Sequence, residues 1–395
     1  MTDCCIIGGG IIGLSIAREL AGRGLRVQVL ARDPSRDTAS WAAAGIFPPA
    51  PDAPGGPPGD ALTAWSDKLH RQWYAELRDE TGIDNGLATC GGLHLAGDAR
   101  ESARLATELD AWRSRGARCE PLAAADIARL EPALRGAVER GVVSNGLFLP
   151  DETQIRPPRH LEAVRRSCVA RGVELTNAAV THLDVTGGRI RAAVIRQADG
   201  ETGVTADRFC LAAGAWSGRL AEQLGLRIET RPIRGQIALV RLPAQRLGRV
   251  VDVGLEYVVP RTDGRLLVGS TIEDAGFAPT TTPDAVARLL DFAHRLLGPL
   301  PEAVIEQAWA GLRPGSADGL PFIGRVPDCG NAFVATGHFR AGLHQSTGTA
   351  VLLADLVTGR SPAVDPAAFA PGRQPGDPSP DSVPAYLARA AAESA

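Results

Sequence analysis

Lysine is almost absent from this sequence of 395 residues, because Lys68 is the only lysine among 42 basic residues and arginine supplies the rest. An enzyme that forms a Schiff base needs a lysine amine, so this scarcity argues against pyridoxal chemistry. The formal charge is only −3, and no block of like charge stands out along the chain. Proteins that bind nucleic acid or anionic membranes usually carry such a block, so we expect neither partner.

Metal-ligand patterns are also missing. The seven cysteines form no C-x-x-C pair and no cluster with histidine, which argues against a zinc site and against a disulfide framework. An odd number of cysteines fits a reducing compartment, so we expect a cytoplasmic protein without a metal. The apolar stretch at 4–16 contains four glycines and lacks a basic flank. We therefore expect neither a signal peptide nor a transmembrane helix.

A glycine loop near the N-terminus predicts dinucleotide binding. Gly8, Gly10 and Gly13 have the spacing that lets backbone approach a pyrophosphate at the start of a helix. With 45 glycines in the chain, this pattern is expected about 0.6 times by chance, so its position carries the argument. The loop lies between an apolar run at 4–7 and a helical pattern, and a second strand is predicted at 25–31. This order is typical of a βαβ unit.

The acidic residue that usually holds the adenosine ribose is missing. Ala31 stands at the end of the second predicted strand, and Arg32 and Asp33 follow it. Arg32 could accept a 2′-phosphate, as in a site for NADP. Alternatively, Asp33 reaches back to the ribose, or backbone and water hold it.

The rest of the chain alternates between helical and strand patterns. The segment 48–59 is rich in proline and glycine and is predicted to be a loop. Helices are predicted at 60–80, 98–116, 158–172, 283–298 and 346–358, and strand-rich blocks at 173–213, 228–272 and 332–336. Seven prolines follow Gly359, so we expect a mobile tail at 361–395, with a short helix at 385–393.

Several separated segments carry a resemblance to a known family. They are 8–24 (GGGIIGLSIARELAGRG), 39–47 (ASWAAAGIF), 211–217 (LAAGAWS), 231–236 (RPIRGQ), 257–274 (YVVPRTDGRLLVGSTIED), 311–324 (GLRPGSADGLPFIG) and 335–342 (ATGHFRAG). On these segments the chain resembles the D-amino-acid oxidase superfamily of flavoproteins, and within it the glycine oxidases of the ThiO type, which serve thiamine biosynthesis. Seven ordered matches are far more specific than one glycine loop.

The resemblance implies an α/β fold with an α+β second lobe. A Rossmann-type FAD-binding domain would be assembled from the discontinuous segments 1–85, 145–225 and 305–360. An antiparallel-sheet substrate domain would comprise 86–144 and 226–304. The resemblance also favours FAD over a nicotinamide cofactor, because a nicotinamide enzyme has no use for the segments at 39–47 and 335–342. We expect the FAD to be non-covalent, since Cys329 lies outside the matched motifs.

The resemblance assigns three catalytic residues. Arg313 matches the arginine that grips the substrate carboxylate, and its planar guanidinium suits a bidentate pair. Tyr257 matches the tyrosine that hydrogen-bonds the same carboxylate. Arg340 would add positive potential beside the flavin or line the pocket entrance.

The resemblance also implies a set of cofactor contacts in the glycine loop, the small-residue segment at 39–47 and the turn at 337–342. They are Gly8, Gly10, Ile12, Gly13, Arg32, Ser40, Ala43, Ala44, Gly45, Val180, Ala213, Gly214, Trp216, Gly337, His338, Arg340, Gly342 and Leu343. Small side chains at 42–45 leave room for a flat ring. Read without the resemblance, the same segment is an alanine-rich helix start capped by Ser40.

The implied reaction is the oxidation of glycine or another small amino acid or amine. Hydride would pass from the substrate to flavin, the imine would hydrolyse, and oxygen would become hydrogen peroxide. Positioning would supply most of the rate, so we expect no general base and assign none to His338 or His344. A flavin dehydrogenase for another amino or hydroxy acid and a non-catalytic nucleotide-binding module remain alternatives. We expect a homo-oligomer.

Overall fold

The computed structural model describes residues 1–32, 38–51, 53, 55–197, 200–242, 247–300, 303–380 and 382–393. The strands are β1 (Cys4–Ile7), β2 (Val27–Ala31), β3 (Ile46–Phe47), β4 (Ala88–Thr89), β5 (Gly92–Ala96), β6 (Glu120–Ala123), β7 (Asn145–Leu149), β8 (Thr153–Gln154), β9 (Glu174–Asn177), β10 (Val180–Thr186), β11 (Arg189–Gln197), β12 (Gly200–Val204), β13 (Arg208–Leu211), β14 (Arg231–Arg241), β15 (Val250–Val253), β16 (Glu256–Pro260), β17 (Arg265–Gly269), β18 (Val304–Gly315), β19 (Phe322–Arg325) and β20 (Ala332–Thr336).

The α-helices are α1 (Ile11–Gly22), α2 (Ala39–Ala42), α3 (Pro58–Thr81), α4 (Ala99–Ser114), α5 (Ala124–Leu130), α6 (Arg135–Glu139), α7 (Pro157–Ala170), α8 (Ser217–Glu222), α9 (Pro283–Leu297), α10 (Ser346–Thr358) and α11 (Val383–Glu393). Among these helices, none is both long enough and apolar enough to cross a bilayer.

The first large sheet has six strands in the order β19-β20-β13-β1-β2-β9. Neighbouring strands run parallel, except for the antiparallel pair β19 and β20. All four residues of Cys4–Ile7 are buried, because both faces of the sheet are covered. Helices α1, α3, α7 and α10 pack on one face, and the three-stranded sheet β10-β11-β12 packs on the other.

The second large sheet has eight strands in the order β18-β14-β17-β16-β15-β5-β7-β6. Its strands are antiparallel to their neighbours, except for the parallel pair β15 and β5. Helices α5, α6 and α9 cover one face with side chains such as Leu289 and Phe292. The two sheets together confirm the predicted α/β fold with a second, antiparallel lobe.

Two strands cross the predicted domain boundaries. Strands β7 and β18 pair within the eight-stranded sheet, although the prediction places 145–225 and 305–360 in the FAD-binding domain. Strand β18 is 12 residues long, and its Leu312 forms a bridge with Thr38 just before helix α2. The division into two domains stays a prediction.

The C-terminal segment differs from the expected mobile tail. Phe369 is fully buried beneath the six-stranded sheet, and helix α11 begins at Val383, of which 2% is exposed. Val383 packs against Ile233 and Phe339, and Tyr386 joins the same cluster. The segment therefore packs on the body of the protein, because its few apolar residues recur at helical spacing despite the prolines around them.

Candidate active site

A cleft of about 2010 Å³ opens where the two large sheets approach each other. The ends of strands β1, β2, β13 and β20 line one side, and the face of the eight-stranded sheet opposite α9 lines the other. In open parallel sheets, ligands bind at the carboxyl ends of the strands. This cleft is therefore the candidate active site.

The glycine loop has the conformation that a phosphate cradle requires. Gly8 has a φ of +124°, and a Cβ there would lie under 3.0 Å from the carbonyl oxygen of Ala212. Gly13 does not line the cleft; a Cβ there would collide with the carbonyl oxygen of Gly8, so its role is close packing of α1 on the loop. Gly10 lines the cleft at the N-terminus of α1. Free backbone N–H groups at a helix start favour a bound phosphate.

Ser40 connects the small-residue segment to this loop. Its hydroxyl accepts a hydrogen bond from the backbone N–H of Ile11 at 2.8 Å. The cap of the short helix α2 is instead Thr38, whose hydroxyl accepts from Trp41 N–H at 3.3 Å. Reading Ser40 as the helix cap was therefore wrong, because its side chain turns toward α1.

Most of the predicted cofactor residues line this one cleft. They are Gly8, Gly10, Ile12, Arg32, Ser40, Ala43, Ala44, Gly45, Val180, Ala213, Gly214, Trp216, His338, Arg340, Gly342 and Leu343. Gly337 does not line the cleft; it has a φ of +82° and lies against the Phe322 ring. Arg32 is exposed and lies 5.5 Å from the Trp216 ring centre. Asp33 lies outside the described residues.

Two glycines form the surface on which the predicted carboxylate-binding residues rest. The Arg313 guanidinium lies against Gly235, where a Cβ would come within 3.0 Å of it. The Tyr257 ring lies on Gly269, where a Cβ would be 2.7 Å from the phenol oxygen. Since any larger residue would displace these groups, the sequence holds both of them flat on the sheet.

Hydrogen bonds and charge orient Arg313 further. Its guanidinium donates to the Ser270 hydroxyl at 2.8 Å and to the Thr271 carbonyl at 3.2 Å. Burial lowers the pKa of Arg313 below its ordinary value, and the nearby Tyr257 hydroxyl opposes this shift. Arg340 also lowers it, because a second cation lies close by. Tyr257 and Arg313 therefore meet in one buried, electropositive site.

The turn between β20 and α10 brings Arg340 to the same site. Phe339 has a φ of +47°, which is uncommon for an aromatic residue, and its N–H donates to Pro314 at 2.9 Å. Arg340 stacks 4.6 Å from the ring centre of Tyr386 in helix α11. His338 is buried and contacts the Thr349 hydroxyl at 3.0 Å. Burial lowers the pKa of His338 to about 3, so this imidazole is neutral.

Sequence reasoning missed two parts of the cleft. Helix α11 contributes Tyr386 and Arg389, and a polar cluster of His94, Glu152 and Asp252 lines the far end. The only sequence signal for the cluster is a histidine between two leucines in β5. No local pattern connects three residues that lie 58 or more positions apart.

The chain matches the family described as FAD dependent oxidoreductase (DAO) over residues 3–356. The chain belongs to this family. Its cleft, which joins a glycine-rich nucleotide loop to an arginine and tyrosine pair, agrees with that class.

Several relatives within this family are glycine oxidases. Glycine oxidase from Pseudomonas aeruginosa is 36% identical over 371 residues, which cover 93% of this chain and 97% of that protein. The crystal structure of glycine oxidase from Geobacillus kaustophilus has a TM-score of 0.86 at 30% identity, covering 95% of this chain and 99% of that one. Iminodiacetate oxidase from Chelativorans has a TM-score of 0.81 at 27% identity, covering 95% and 100%.

The family match confirms two predictions from the sequence. The cofactor is FAD rather than a nicotinamide nucleotide, and the protein is an amino-acid oxidoreductase. The match ends at residue 356, so helix α11 and its contribution to the cleft lie beyond it.

Proposed function

We propose that this protein oxidises glycine or another small α-amino acid, with oxygen as the electron acceptor and hydrogen peroxide as a product. The observation that carries this proposal is the convergence of Arg313 and Tyr257 on one surface inside the FAD cleft. The relatives named above support the choice of substrate, since they are glycine oxidases.

The residues of the cleft fit FAD. Backbone at Gly8 and Gly10 would hold the pyrophosphate, because both glycines line the cleft beside the N-terminus of α1. Ala43, Ala44 and Gly45 would leave space for the flat ring. When bound, FAD supplies the two-electron oxidation for which the protein side chains carry no group. We propose that it is held without a covalent bond.

The protein contributes substrate binding and orientation. The Arg313 guanidinium would pair with both oxygens of the substrate carboxylate, and the Tyr257 hydroxyl would donate a third hydrogen bond. Because Tyr257 is buried and Arg313 is half-buried, these charge-assisted bonds are stronger than they would be in water. Arg340 would add positive potential at the edge of the site.

We assign no residue as a general base. Burial lowers the pKa of His338 to about 3, which makes its imidazole a weak base, and its Nε2 already contacts Thr349. Holding the substrate Cα in one orientation is the main contribution that this site can make to the rate.

The test compares hydrogen peroxide release from glycine, sarcosine and D-alanine in the unaltered protein, in Arg313→Ala and in Arg313→Lys. Each lost bond to a charged group costs about 1.5–3 kcal/mol, so kcat/KM should fall roughly 10²-fold or more in Arg313→Ala. Arg313→Lys keeps the positive charge but loses the planar guanidinium, so kcat/KM should fall less in this variant. Yellow colour should persist in both variants.

A matched control is Arg241→Ala, which removes an exposed arginine paired with Glu306 at the edge of the same sheet. Its kcat/KM should stay within about twofold of the unaltered value, since exposed ion pairs contribute little. Full turnover in Arg313→Ala would refute the carboxylate role. Flavin reduction by glycine without peroxide release would identify a different electron acceptor.

We also propose that the protein is cytoplasmic and forms a homo-oligomer. The unpaired cysteines support the first proposal. Cell fractionation tests the location, and light scattering of the purified protein tests the oligomeric state.

A further inference from the structure

A row of side chains crosses the eight-stranded sheet beside the carboxylate-binding residues. Register pairs place His94 opposite Asp252, Asp252 opposite Tyr257, and Tyr257 opposite Gly269. Directly paired residues project from the same face of a sheet. His94 and Asp252 therefore face the cleft on the side of Tyr257 away from Gly269, and both line it.

Glu152 joins this row from the loop after β7. The Glu152 side chain is fully buried, and its Oε2 is 3.0 Å from Nε2 of His94. The other oxygen, Oε1, has no hydrogen-bond partner within the described part of the chain, and neither does Oδ2 of Asp252. Ligand atoms of the three residues lie within 4.8 Å of one another. The cleft thus contains two buried carboxylate oxygens that each need a donor.

The charges around these oxygens favour a cation. Burial would lower the pKa of His94, but the charge and hydrogen bond of Glu152 raise it to about 9, so Nε2 keeps its proton for Glu152. Burial raises the pKa of Asp252 to about 7, and the charge of Glu152 adds to this shift. The positive charge of His94 lowers the pKa of Asp252, as does that of Arg340 on the substrate side, whereas the charge of Glu108 raises it. A cation between the two free oxygens would relieve their repulsion.

The separation between Tyr257 and Asp252 sets the size of the ligand. The phenol oxygen of Tyr257 lies over Gly269 in β17, and Asp252 is in β15, two strands away. Two interstrand spacings amount to about 10 Å. This is too far for glycine to span, and it is roughly the reach of a lysine side chain.

We propose that Glu152 and Asp252 bind the distal ammonium group of a substrate whose α-carboxylate is held by Arg313 and Tyr257. The substrate class is then an α-amino acid with a second, terminal amine. This inference rests on the proposed function and names the substrate of the same site. Two of the three N–H donors of an ammonium would bond to the two free carboxylate oxygens.

The first experiment needs no variant. Binding of 6-aminohexanoate and of hexanoate to the FAD-loaded protein is measured at pH 8 through the change in visible flavin absorption. Both compounds carry the carboxylate, but only the first carries the distal ammonium. The proposal expects 6-aminohexanoate to bind at least about tenfold more tightly, a difference of ~1.4 kcal/mol.

Adipate and divalent metals distinguish the other ligands that this end of the cleft could hold. Adipate that binds more tightly than 6-aminohexanoate would assign the distal site to an anion near Arg340 and overturn the proposal. Stoichiometric binding of Zn²⁺ or Mn²⁺ that is lost in Asp252→Asn would assign the cluster to a metal and also overturn it. Equal affinity for 6-aminohexanoate and hexanoate would also overturn the proposal.

Variants then locate the site. In Asp252→Asn and Glu152→Gln, the ratio of the hexanoate Kd to the 6-aminohexanoate Kd should fall toward one. The control Asp184→Asn changes an exposed carboxylate in β10 and should keep the ratio. Turnover of both enantiomers of lysine and norleucine gives a second measurement, in which kcat/KM should favour lysine. If no amino acid is oxidised but the tenfold binding difference persists, the proposed reaction fails while the ammonium site stands.

Discussion

A single added methyl group at Gly235 should separate activity from stability. The backbone of Gly235 has an ordinary strand conformation, so alanine is allowed there. Its Cβ would nevertheless lie under 3.0 Å from three atoms of the Arg313 guanidinium, whereas ordinary contacts are 3.4–4 Å. Because the guanidinium is the far end of a flexible side chain, it should retreat by about 1 Å and leave the backbone in place.

The expected magnitudes follow from this shift. A misplacement of about 1 Å in a substrate-binding group can cost roughly 10²-fold in rate, so kcat/KM for glycine should fall by about that factor in Gly235→Ala. The free energy of unfolding should change by less than about 1 kcal/mol, since alanine is slightly favoured over glycine in a strand. Peroxide assays and urea unfolding of the same preparation measure the two quantities.

A double-mutant cycle tests whether the effect passes through the guanidinium. In an Arg313→Ala background the clash is gone, so Gly235→Ala should have almost no further effect on kcat/KM. Gly248→Ala is the matched control, because its nearest neighbour across space is an oxygen of Glu131 at 3.6 Å. An equal loss of activity in both backgrounds, or no loss in either, would refute the placement of Arg313 on Gly235.

Three further predictions concern cofactor, pH and packing. Gly8→Ala should purify with little FAD, because its Cβ would collide with the Ala212 carbonyl at a φ of +124°; the ratio of absorbance at the flavin and protein bands measures this. The pKa of His94 of about 9 lies above its ordinary 6.5, so its pairing with Glu152 stabilises the fold fully below pH 6.5, on the order of 3 kcal/mol. This contribution is lost as pH rises through 9, so unfolding free energies of the unaltered protein and Glu152→Gln should converge above that pH, and a constant difference would contradict the pairing. Val383→Ala should lower the free energy of unfolding by about 1.5 kcal/mol, and an unchanged urea midpoint would show that α11 is not packed as described.

Local periodicity was sufficient to predict the long elements of the fold. The helix predicted at 346–358 is Ser346–Thr358, and the helix predicted at 283–298 is Pro283–Leu297. In both helices, apolar side chains recur at helical spacing over several turns. The short helices Ala124–Leu130 and Ser217–Glu222 were not predicted, because six or seven residues are too few for a helical period to stand out.

The site was predictable where one local segment carries several functional residues. The glycine loop and the turn at 337–342 reach the cleft mostly as expected, and Arg313 and Tyr257 meet although they are far apart in sequence. Gly13 and Gly337 are in the right motifs, yet they serve packing and turning, because a glycine pattern does not reveal which member faces the ligand. The pairing of His94 with Asp252 depends on sheet register, which no local pattern contains.

Helix α11 has a practical consequence for how the protein should be prepared. Arg100 donates a hydrogen bond to the carbonyl oxygen of Ala392 at 2.9 Å, and Arg389 donates one to that of Gly254 at 3.2 Å. These bonds hold the last turns of helix α11 near the substrate cleft. A fusion partner attached directly after helix α11 would therefore begin near residues that line the cleft, such as Arg389. Met1 is 90% exposed at the other end of the chain, which makes an N-terminal tag the suitable choice for kinetic work.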